Sequence, residues 1–362
     1  MDFYGSMAFY GAVALLTAVN AEGSVRFRDG VIRSFFAWNT VLIPALTAGL
    51  RYGIGTDYAL VYFPEFCSLR ADPGYASRME PGYVLLNRLV ILLGGGFQLV
   101  LFLVSAITVL FVYAGLKQYR EKLSVGLGML VYMLLYFQMS FDIVRQSAAM
   151  AIVFYSLRSV YDRRLFKFTA LIALACTFHV SALLMFPFYF LYGLYGKPKY
   201  VFVRFLSYLL LIFLALNYDK LLYPMMDRVD GLRYYSVYLQ ETQSFSFSIG
   251  VVARTVPFLV PGFLIYGELK RDRSMLFQFS LLCMGCIARL MAYTTVYFTE
   301  RIAYYFLFSQ AVLVPFYYRK LKEKRKTWVG LAVVGFVFFL WIYDFFVMGS
   351  CRTVPYRFYF QK

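Results

Sequence analysis

About twelve apolar runs, separated by short polar loops, constrain this chain more than any other feature of its sequence. The runs are, roughly, Phe3–Val19, Phe35–Leu50, Phe97–Leu116, Leu123–Phe141, Gln146–Leu157, Phe168–Phe178, Val180–Gly196, Phe205–Tyr218, Ser248–Gly267, Ser274–Ala288, Ile302–Tyr318 and Trp328–Met348. Several runs are shorter than the ~20 residues that a perpendicular transmembrane helix needs, which predicts short or broken helices around a cavity. With 61% hydrophobic and 15% charged residues, the chain is predicted to be an all-α polytopic membrane protein, a single integral membrane domain over residues 1–362.

The basic residues indicate which side of the membrane each loop faces. If sides alternate through the apolar runs, one side holds 22 of the 36 Lys and Arg residues with seven acids, and the positive-inside rule makes this side cytoplasmic. The net charge of +17 therefore reflects topology, and no nucleic-acid partner is predicted. The other side, with both termini, holds 14 basic and 12 acidic residues, and 12 of those 14 are Arg. Because Arg grips phosphate with two hydrogen bonds, this bias favours an outward-facing anion site.

Two loops on the predicted outer side, residues 51–82 and 219–247, are long enough to hold structure. Loops of this length are uncommon without a function, so we expect both to contribute to an active-site cavity. The first loop contains several Gly and Pro residues, which indicate tight turns and hence an ordered backbone conformation. The segment Tyr83–Leu93 that follows it has helical spacing but only about eleven residues, which predicts an amphipathic or re-entrant helix at the outer surface.

Ionisable and polar residues at the edges of the apolar runs concentrate on the predicted outer side. Such residues are costly at a membrane edge unless they face a polar cavity or a ligand, so they are predicted to line one outward-facing site. The candidates for catalysis are Asp57, Glu80 and His179; those for binding an anion are Arg51, Arg145, Arg254 and Arg301; and those for binding the rest of a substrate are Tyr58, Gln146 and Glu300. Structural alternatives remain open, because acids also cap helices or pair with Arg, and Arg also snorkels to the interface.

His179 is the only histidine of the chain. It lies at a predicted break between two short helices, where it can either pack or titrate near neutral pH. With a single His and no Asp-x-Asp motif, neither a metal site nor a cofactor is predicted. Cys67 and Cys351 share the outer side, and a disulfide between them is left open.

The order of several short motifs resembles the EpsG family of Wzy-like polysaccharide polymerases, which belong to bacterial exopolysaccharide and capsule clusters. The motifs are Arg51-x-Gly53-x-Gly55-Thr56-Asp57-Tyr58, Glu80-Pro81-Gly82-Tyr83, Arg145-Gln146, Phe178-His179-x-Ser181-Ala182, Glu300-Arg301-Ile302-x-x-Tyr305-Phe306 and Val354-Pro355-Tyr356-Arg357. The resemblance covers nearly the whole chain from Arg51 onward. It implies a glycosyltransferase of GT-C-like architecture in the bacterial cytoplasmic membrane, acting at the outer face on oligosaccharide repeat units linked to undecaprenyl diphosphate. A flippase and a chain-length regulator of the same pathway are the implied protein partners.

Glycosyl transfer from a lipid diphosphate needs a base for the acceptor hydroxyl and cations for the departing diphosphate. In this reading one of Asp57, Glu80 or His179 is the base, and the four candidate Arg residues bind the diphosphate in place of a metal. Rival functions are a polysaccharide ligase or a membrane O-acyltransferase, and a flippase for lipid-linked sugars. A flippase is expected to have polar lining in both halves and an internal repeat, whereas the unusual residues here fall on one side only.

Overall fold

The computed structural model describes residues 1–195, 197, 199, 201–216, 249–292 and 297–361, and within these ranges the chain is almost entirely helical. The principal helices are α1 Phe3–Arg26, α2 Gly30–Gly49, α3 Phe63–Ala71, α4 Pro81–Leu92, α5 Phe97–Lys117, α6 Val125–Tyr132, α7 Val144–Tyr161, α8 Leu165–Phe178, α9 Val201–Leu216, α10 Ile249–Leu264, α11 Tyr266–Arg271, α12 Arg273–Ala292, α13 Tyr297–Leu307, α14 Gln310–Glu323 and α15 Thr327–Trp341. The predicted all-α class is therefore confirmed for the described residues. The predicted outer loop 219–247 lies outside them.

Each predicted apolar run overlaps a helix or a chain of short helical pieces. Within the described residues, four helical segments are long and apolar enough to cross a membrane: Phe3–Arg26, Gly30–Gly49, Phe97–Lys117 and Thr327–Val347. The remaining apolar helices are shorter, as the lengths of the runs indicated. The total of about twelve crossings, the GT-C-like architecture and the membrane side of each loop stay predictions. Below, the end of the bundle that the sequence predicts to face outward is called the outer end.

The opposite end of the bundle is held together by polar contacts between α1 and α6. The Glu22 carboxylate accepts hydrogen bonds from the Ser124 hydroxyl and from the Gly126 N–H, both at 2.8 Å. A side chain at Gly126 would lie 2.6 Å from the Ala18 carbonyl oxygen, so only glycine allows the two helices to come this close. These contacts fix the inner ends of α1 and α6, and the chain that continues from α6 reaches the site at the outer end.

In the part of the chain that the structure describes, three π-helical segments lie toward the outer end. They are Tyr58–Tyr62, Met133–Phe137, which extends α6, and Ile342–Val347, which extends α15. The last contains Asp344, whereas Asp57 immediately precedes the first. π-Helical turns are rare and often lie at functional sites, because they change the direction in which the next side chains point. Here they place acidic residues at the outer end.

The segment Val180–Leu194 between α8 and α9 is irregular. It consists of a 3₁₀ helix over Val180–Met185, a four-residue α-helix and a 3₁₀ turn over Tyr192–Leu194. It follows the break at His179, as the sequence predicted. A pair of arginines secures its far end: Arg273 donates to the Tyr192 carbonyl oxygen at 2.6 Å, and Arg163 donates to that of Tyr189 at 2.8 Å.

After α15 the chain returns across the outer end as a tail. Gln138 donates to the Thr353 hydroxyl at 2.8 Å, Tyr10 donates to the Thr353 carbonyl oxygen at 3.0 Å, and the Tyr356 hydroxyl donates to the Thr47 carbonyl oxygen at 2.7 Å. An isolated antiparallel bridge also pairs Arg51 with Phe358. The tail therefore ties α1, α2 and the end of the α6 element together beside the site.

Candidate active site

A cavity of about 180 Å³ opens at the outer end of the bundle. Its walls come from the loop after α2, the end of the α6 element, the first two turns of α13, and the tail. The lining residues are Thr56, Asp57, Met139, Asp142, Ile143, Glu300, Arg301, Tyr304 and Cys351. Three of them are acidic and one is basic, so the wall itself is less cationic than the sequence led us to expect.

Two glycines shape the loop that presents Asp57. Gly53 has φ +63° and Gly55 has φ +99°, values that side chains rarely tolerate. At Gly55 a Cβ atom would lie 2.9 Å from the Phe141 carbonyl oxygen, so the loop packs directly against the end of the α6 element. The next residue, Thr56, donates its backbone N–H to the Asp142 carboxylate. The loop and the α6 element therefore hold Asp57 on the cavity wall.

Asp57 is half-buried and lies within electrostatic range of several charged groups. Burial raises the pKa of its carboxyl above the ordinary value; the nearby Arg301 guanidinium opposes this rise, the Asp142 carboxylate adds to it, and Arg145 again opposes it. The pKa of Asp142 is likewise raised by burial, against hydrogen bonds from Cys351 and from the Thr56 and Asp57 N–H groups. A carboxylate with a raised pKa is a stronger base than an exposed one, which suits Asp57 to proton abstraction.

Arg145, at the start of α7, forms an ion pair with Glu80, which precedes α4. The side chains are only 18% and 12% exposed, respectively. The second carboxylate oxygen of Glu80 accepts a long hydrogen bond from the Val180 N–H at 3.4 Å. This ion pair connects the outer ends of α4, α7 and the irregular segment, and it brings Arg145 into electrostatic range of Asp57.

His179 belongs to a short chain of hydrogen bonds. Its Nδ1 lies 2.6 Å from the Ser181 hydroxyl, and that hydroxyl lies 2.9 Å from the hydroxyl of Tyr305 on α13. Burial lowers the pKa of His179 to about 4, with Glu80 acting in the opposite direction. The imidazole is therefore neutral at physiological pH and contributes no positive charge to the site.

A second set of ion pairs lies beside the cavity. Arg254 of α10 pairs with Asp344 of the last π-helical segment, and Arg289 of α12 pairs with Glu300 of α13 at 3.4 Å. The sequence singled out Glu300 and Arg254. It did not single out Asp344, although an isolated acid inside the apolar run Trp328–Met348 is the kind of residue that marks a site.

Arg51 stands apart from the other candidate arginines. It is 2% exposed, its guanidinium stacks 4.2 Å from the centre of the Phe141 ring, and it donates to the Phe141 carbonyl oxygen at 3.3 Å. It does not line the cavity. Its contacts support a structural role beneath the loop of Asp57, and nothing in the described residues brings it to the surface where an anion would bind.

Two predicted substrate-binding residues are also buried. The Tyr58 hydroxyl accepts a hydrogen bond from Gln98 at 3.1 Å, and the ring stacks on Phe63. Gln146 is 2% exposed and donates to the Arg301 carbonyl oxygen at 2.6 Å, which positions the first turn of α13. The geometry supports a positioning role for both residues, and of the predicted substrate-binding set only Glu300 lines the cavity.

Cysteines contribute no disulfide to this region. Cys67 is exposed, Cys351 is half-buried on the cavity wall, and both are free thiols, so the disulfide that the sequence left open does not form. Within the described residues, no group of three or more His, Cys, Asp or Glu side chains is arranged to hold a metal ion.

The chain matches a protein-family model. The model described as the EpsG family matches residues 35–358 of the 362-residue chain, which is most of its length. No curated protein and no solved structure matches.

Proposed function

The chain belongs to the EpsG family, a bacterial family associated with exopolysaccharide biosynthesis, and on this basis we propose that it polymerises lipid-linked oligosaccharide repeat units at the outer face of the cytoplasmic membrane. The substrates are repeat units on undecaprenyl diphosphate, and the product is an exopolysaccharide, a capsule or a similar polymer. The enzyme works within the lipid bilayer beside the flippase and chain-length regulator of the pathway.

The proposed reaction joins two lipid-linked molecules. A hydroxyl oxygen of the acceptor repeat unit forms a bond to the anomeric carbon of the donor chain, and the bond from that carbon to the diphosphate oxygen breaks. The electron pair of the broken bond leaves with undecaprenyl diphosphate. The hydroxyl proton passes to an enzyme base. The chemistry therefore needs a carboxylate and a cation that face the same small space.

The observation that carries the proposal is the juxtaposition of Asp57 and Arg301 on one cavity wall. Asp57 is the proposed base, since it faces the cavity and burial raises the pKa of its carboxyl. Glu80 is a weaker candidate for the base because its carboxylate is already paired with Arg145. His179 is also a weaker candidate, because its Nδ1 is already hydrogen-bonded to Ser181. We assign Glu80 to the support of Arg145, and His179 to the hydrogen-bond chain that reaches Tyr305 of α13.

Arg301, which lines the cavity, and Arg145, which lies outside the lining but within electrostatic range of Asp57, are the proposed ligands of the departing diphosphate. Among the described residues, no carboxylate lies within 4 Å of the Arg301 guanidinium, and Arg301 lines the cavity in which an anion would bind. A guanidinium matches the oxygens of a phosphate with parallel N–H donors, and it carries its charge at any physiological pH. Positive charge aimed at the leaving oxygens stabilises the transition state more than the ground state.

The decisive test is polymerisation by the purified protein in proteoliposomes supplied with lipid-linked repeat units. We expect a ladder of products from the wild type and from Asp72→Asn, which removes an exposed carboxylate of the same outer loop. Asp57→Asn should lower the rate by about 10²-fold or more, as expected for loss of a general base. Full activity of Asp57→Asn would remove Asp57 from the reaction.

A deletion strain separates polymerisation from the rival functions. Loss of a polymerase leaves single repeat units on the lipid at the outer face, whereas loss of a ligase leaves long lipid-linked polymer. Loss of a flippase leaves single units facing the cytoplasm, and loss of an O-acyltransferase leaves polymer of normal length without acyl groups. Any of the last three outcomes contradicts the proposal.

A further inference from the structure

Four charged residues beside the cavity form a group that the proposed chemistry has not used. We call Arg254, Arg289, Glu300 and Asp344 the Asp344 group. They come from α10, α12, α13 and the last π-helical segment, so four parts of the chain converge on it. The side chains are 14% to 24% exposed, so the group is mostly buried but keeps some access at the outer end.

The Asp344 group is electrostatically distinct from the group around Asp57. The charges that act on Asp344 are those of Arg254, Arg289 and Glu300, whereas the charges that act on Asp57 are those of Arg301, Asp142 and Arg145. The two groups meet at the start of α13, where the consecutive residues Glu300 and Arg301 each belong to one group. Consecutive side chains point about 100° apart around a helix. One helical turn therefore serves two neighbouring charged sites.

The proposed reaction uses two diphosphates that cannot lie in the same place. The donor diphosphate is bonded to the reacting anomeric carbon, so it must lie beside the base Asp57. The acceptor reacts through a hydroxyl of its sugar, and the sugars of the repeat unit separate that hydroxyl from the acceptor's own diphosphate. A second site with N–H donors for phosphate oxygens, near the first but separate from it, is therefore required by the geometry of the substrates.

We propose that the Asp344 group binds the diphosphate of the acceptor lipid, while Arg301 and Arg145 bind that of the donor. This assignment depends on the proposed polymerase function. The Arg254 guanidinium has five N–H donors, and its ion pair with Asp344 engages one terminal nitrogen. The guanidinium also lies over the Tyr343 ring at 5.6 Å. The carboxylate and the ring hold it in one orientation, and among the described residues its remaining donors have no carboxylate partner, so they can turn to phosphate oxygens.

A two-substrate kinetic experiment tests the assignment. The donor is labelled lipid-linked polymer and the acceptor is a single lipid-linked unit, and each concentration is varied at a fixed level of the other. Arg254→Gln and Arg289→Gln should raise the acceptor KM roughly 10- to 100-fold, the effect of losing a charge-assisted hydrogen bond, with little change in the donor KM. Arg145→Gln should raise the donor KM, with little change in the acceptor KM. The control is Arg78→Gln, an exposed residue of the outer loop, for which both KM values should stay as in the wild type.

A conservative variant separates ligand binding from structural pairing. Arg254→Lys keeps a positive charge opposite Asp344 but loses the fork that matches phosphate. It should retain the wild-type melting temperature and still show a raised acceptor KM. If the acceptor KM is unchanged in Arg254→Gln and Arg289→Gln, or if the donor KM rises equally, the assignment is wrong.

Binding of undecaprenyl diphosphate alone distinguishes failure of this assignment from failure of the proposed function. Tryptophan fluorescence of the purified protein reports such binding without any turnover. One outcome is that the wild type does not polymerise but binds the lipid diphosphate, and that Arg254→Gln and Arg289→Gln weaken this binding. This result would support the binding site and contradict the polymerase function. If Arg254→Gln and Arg289→Gln leave the binding of undecaprenyl diphosphate unchanged, the assignment of the binding site is contradicted as well.

Discussion

Two carboxylates, Asp57 and Asp142, share one cavity wall and respond to each other's charge. Burial is the largest cause of the raised pKa of Asp57, and the negative charge of Asp142 adds to it. As the base, Asp57 is active only when deprotonated, so activity falls as the pH drops through its pKa. The fall in activity at low pH therefore reports the pKa of Asp57, which depends on the charges and the burial around it.

Replacing Asp142 by Asn should move the acid limb of the kcat/KM profile to lower pH. The substitution removes a negative neighbour, which lowers the pKa of Asp57, while the amide oxygen can still accept the Thr56 N–H hydrogen bond. The profile of Asp142→Asn is compared with that of the wild type in the same proteoliposomes. An acid limb that stays in place or moves to higher pH contradicts the coupling of these two carboxylates.

Gly53 and Gly55 form a matched pair for testing the loop that presents Asp57. Both have positive φ, so alanine at either position costs about 1–2 kcal/mol of backbone strain. Only at Gly55 would the new Cβ also collide with the Phe141 carbonyl oxygen, at 2.9 Å, whereas the space around Gly53 is open. Gly55→Ala should therefore reduce kcat severely and Gly53→Ala only slightly. Equal activities of the two variants would show that the close approach does not position Asp57.

Between elements, the ion pair of Glu80 and Arg145 joins the start of α4 to the start of α7. Both side chains are mostly buried, so Glu80→Gln leaves a guanidinium without its charge partner and should destabilise the protein by about 1–3 kcal/mol. The double variant Glu80→Gln/Arg145→Gln removes both charges and should recover part of that loss.

Thermal unfolding in detergent and polymerisation measured on the same preparations separate the two roles of this pair. The double variant should melt closer to the wild type than Glu80→Gln does, yet remain less active because the diphosphate has lost Arg145. Recovery of activity together with stability would mean that Arg145 serves only the structure. A melting temperature of the double variant below that of both single variants would contradict the pairing.

The helices were predictable from the sequence, because each apolar run is itself evidence of a helix. The π-helical turns that shape the site were not predictable. The π-helical turns at Met133–Phe137 and Ile342–Val347 lie inside apolar runs whose composition does not change. The break at His179 was predictable, since a lone polar residue interrupts two runs. Glu300 was recognised as a candidate, but its partner Arg289 lies eleven residues earlier on another helix, and only the fold shows that they meet.

At the scale of the whole molecule, the tail after α15 closes the outer end by contacts with distant parts of the chain. Thr353, Tyr356 and Phe358 reach α1, α2, the α6 element and the bridge to Arg51. The sequence predicted family membership from motifs that include this tail, and the family match confirms it. It did not predict the course of the tail, because contacts across some 300 residues leave no local pattern.

Removing residues 353–362 should lower the melting temperature by at least about 5 °C, since several buried hydrogen bonds are lost together. It should also abolish polymerisation, because the tail supports the loop that carries Asp57. The control removes residues 361–362 only and should behave as the wild type. Unaltered stability and activity of the longer truncation would contradict this role of the tail.

The irregular segment Val180–Leu194 has a consequence for the surrounding lipid. Fifteen residues that mix 3₁₀ and α geometry rise roughly 25 Å, less than the ~30 Å hydrocarbon thickness of a typical bilayer. On the predicted topology this segment crosses the bilayer, so acyl chains next to this face must shorten or tilt to match it, at a modest cost for each ångström of mismatch. We therefore expect a local dimple in the outer leaflet beside His179, where the headgroup of a long polyprenyl carrier sinks toward the charged layer without leaving its own monolayer.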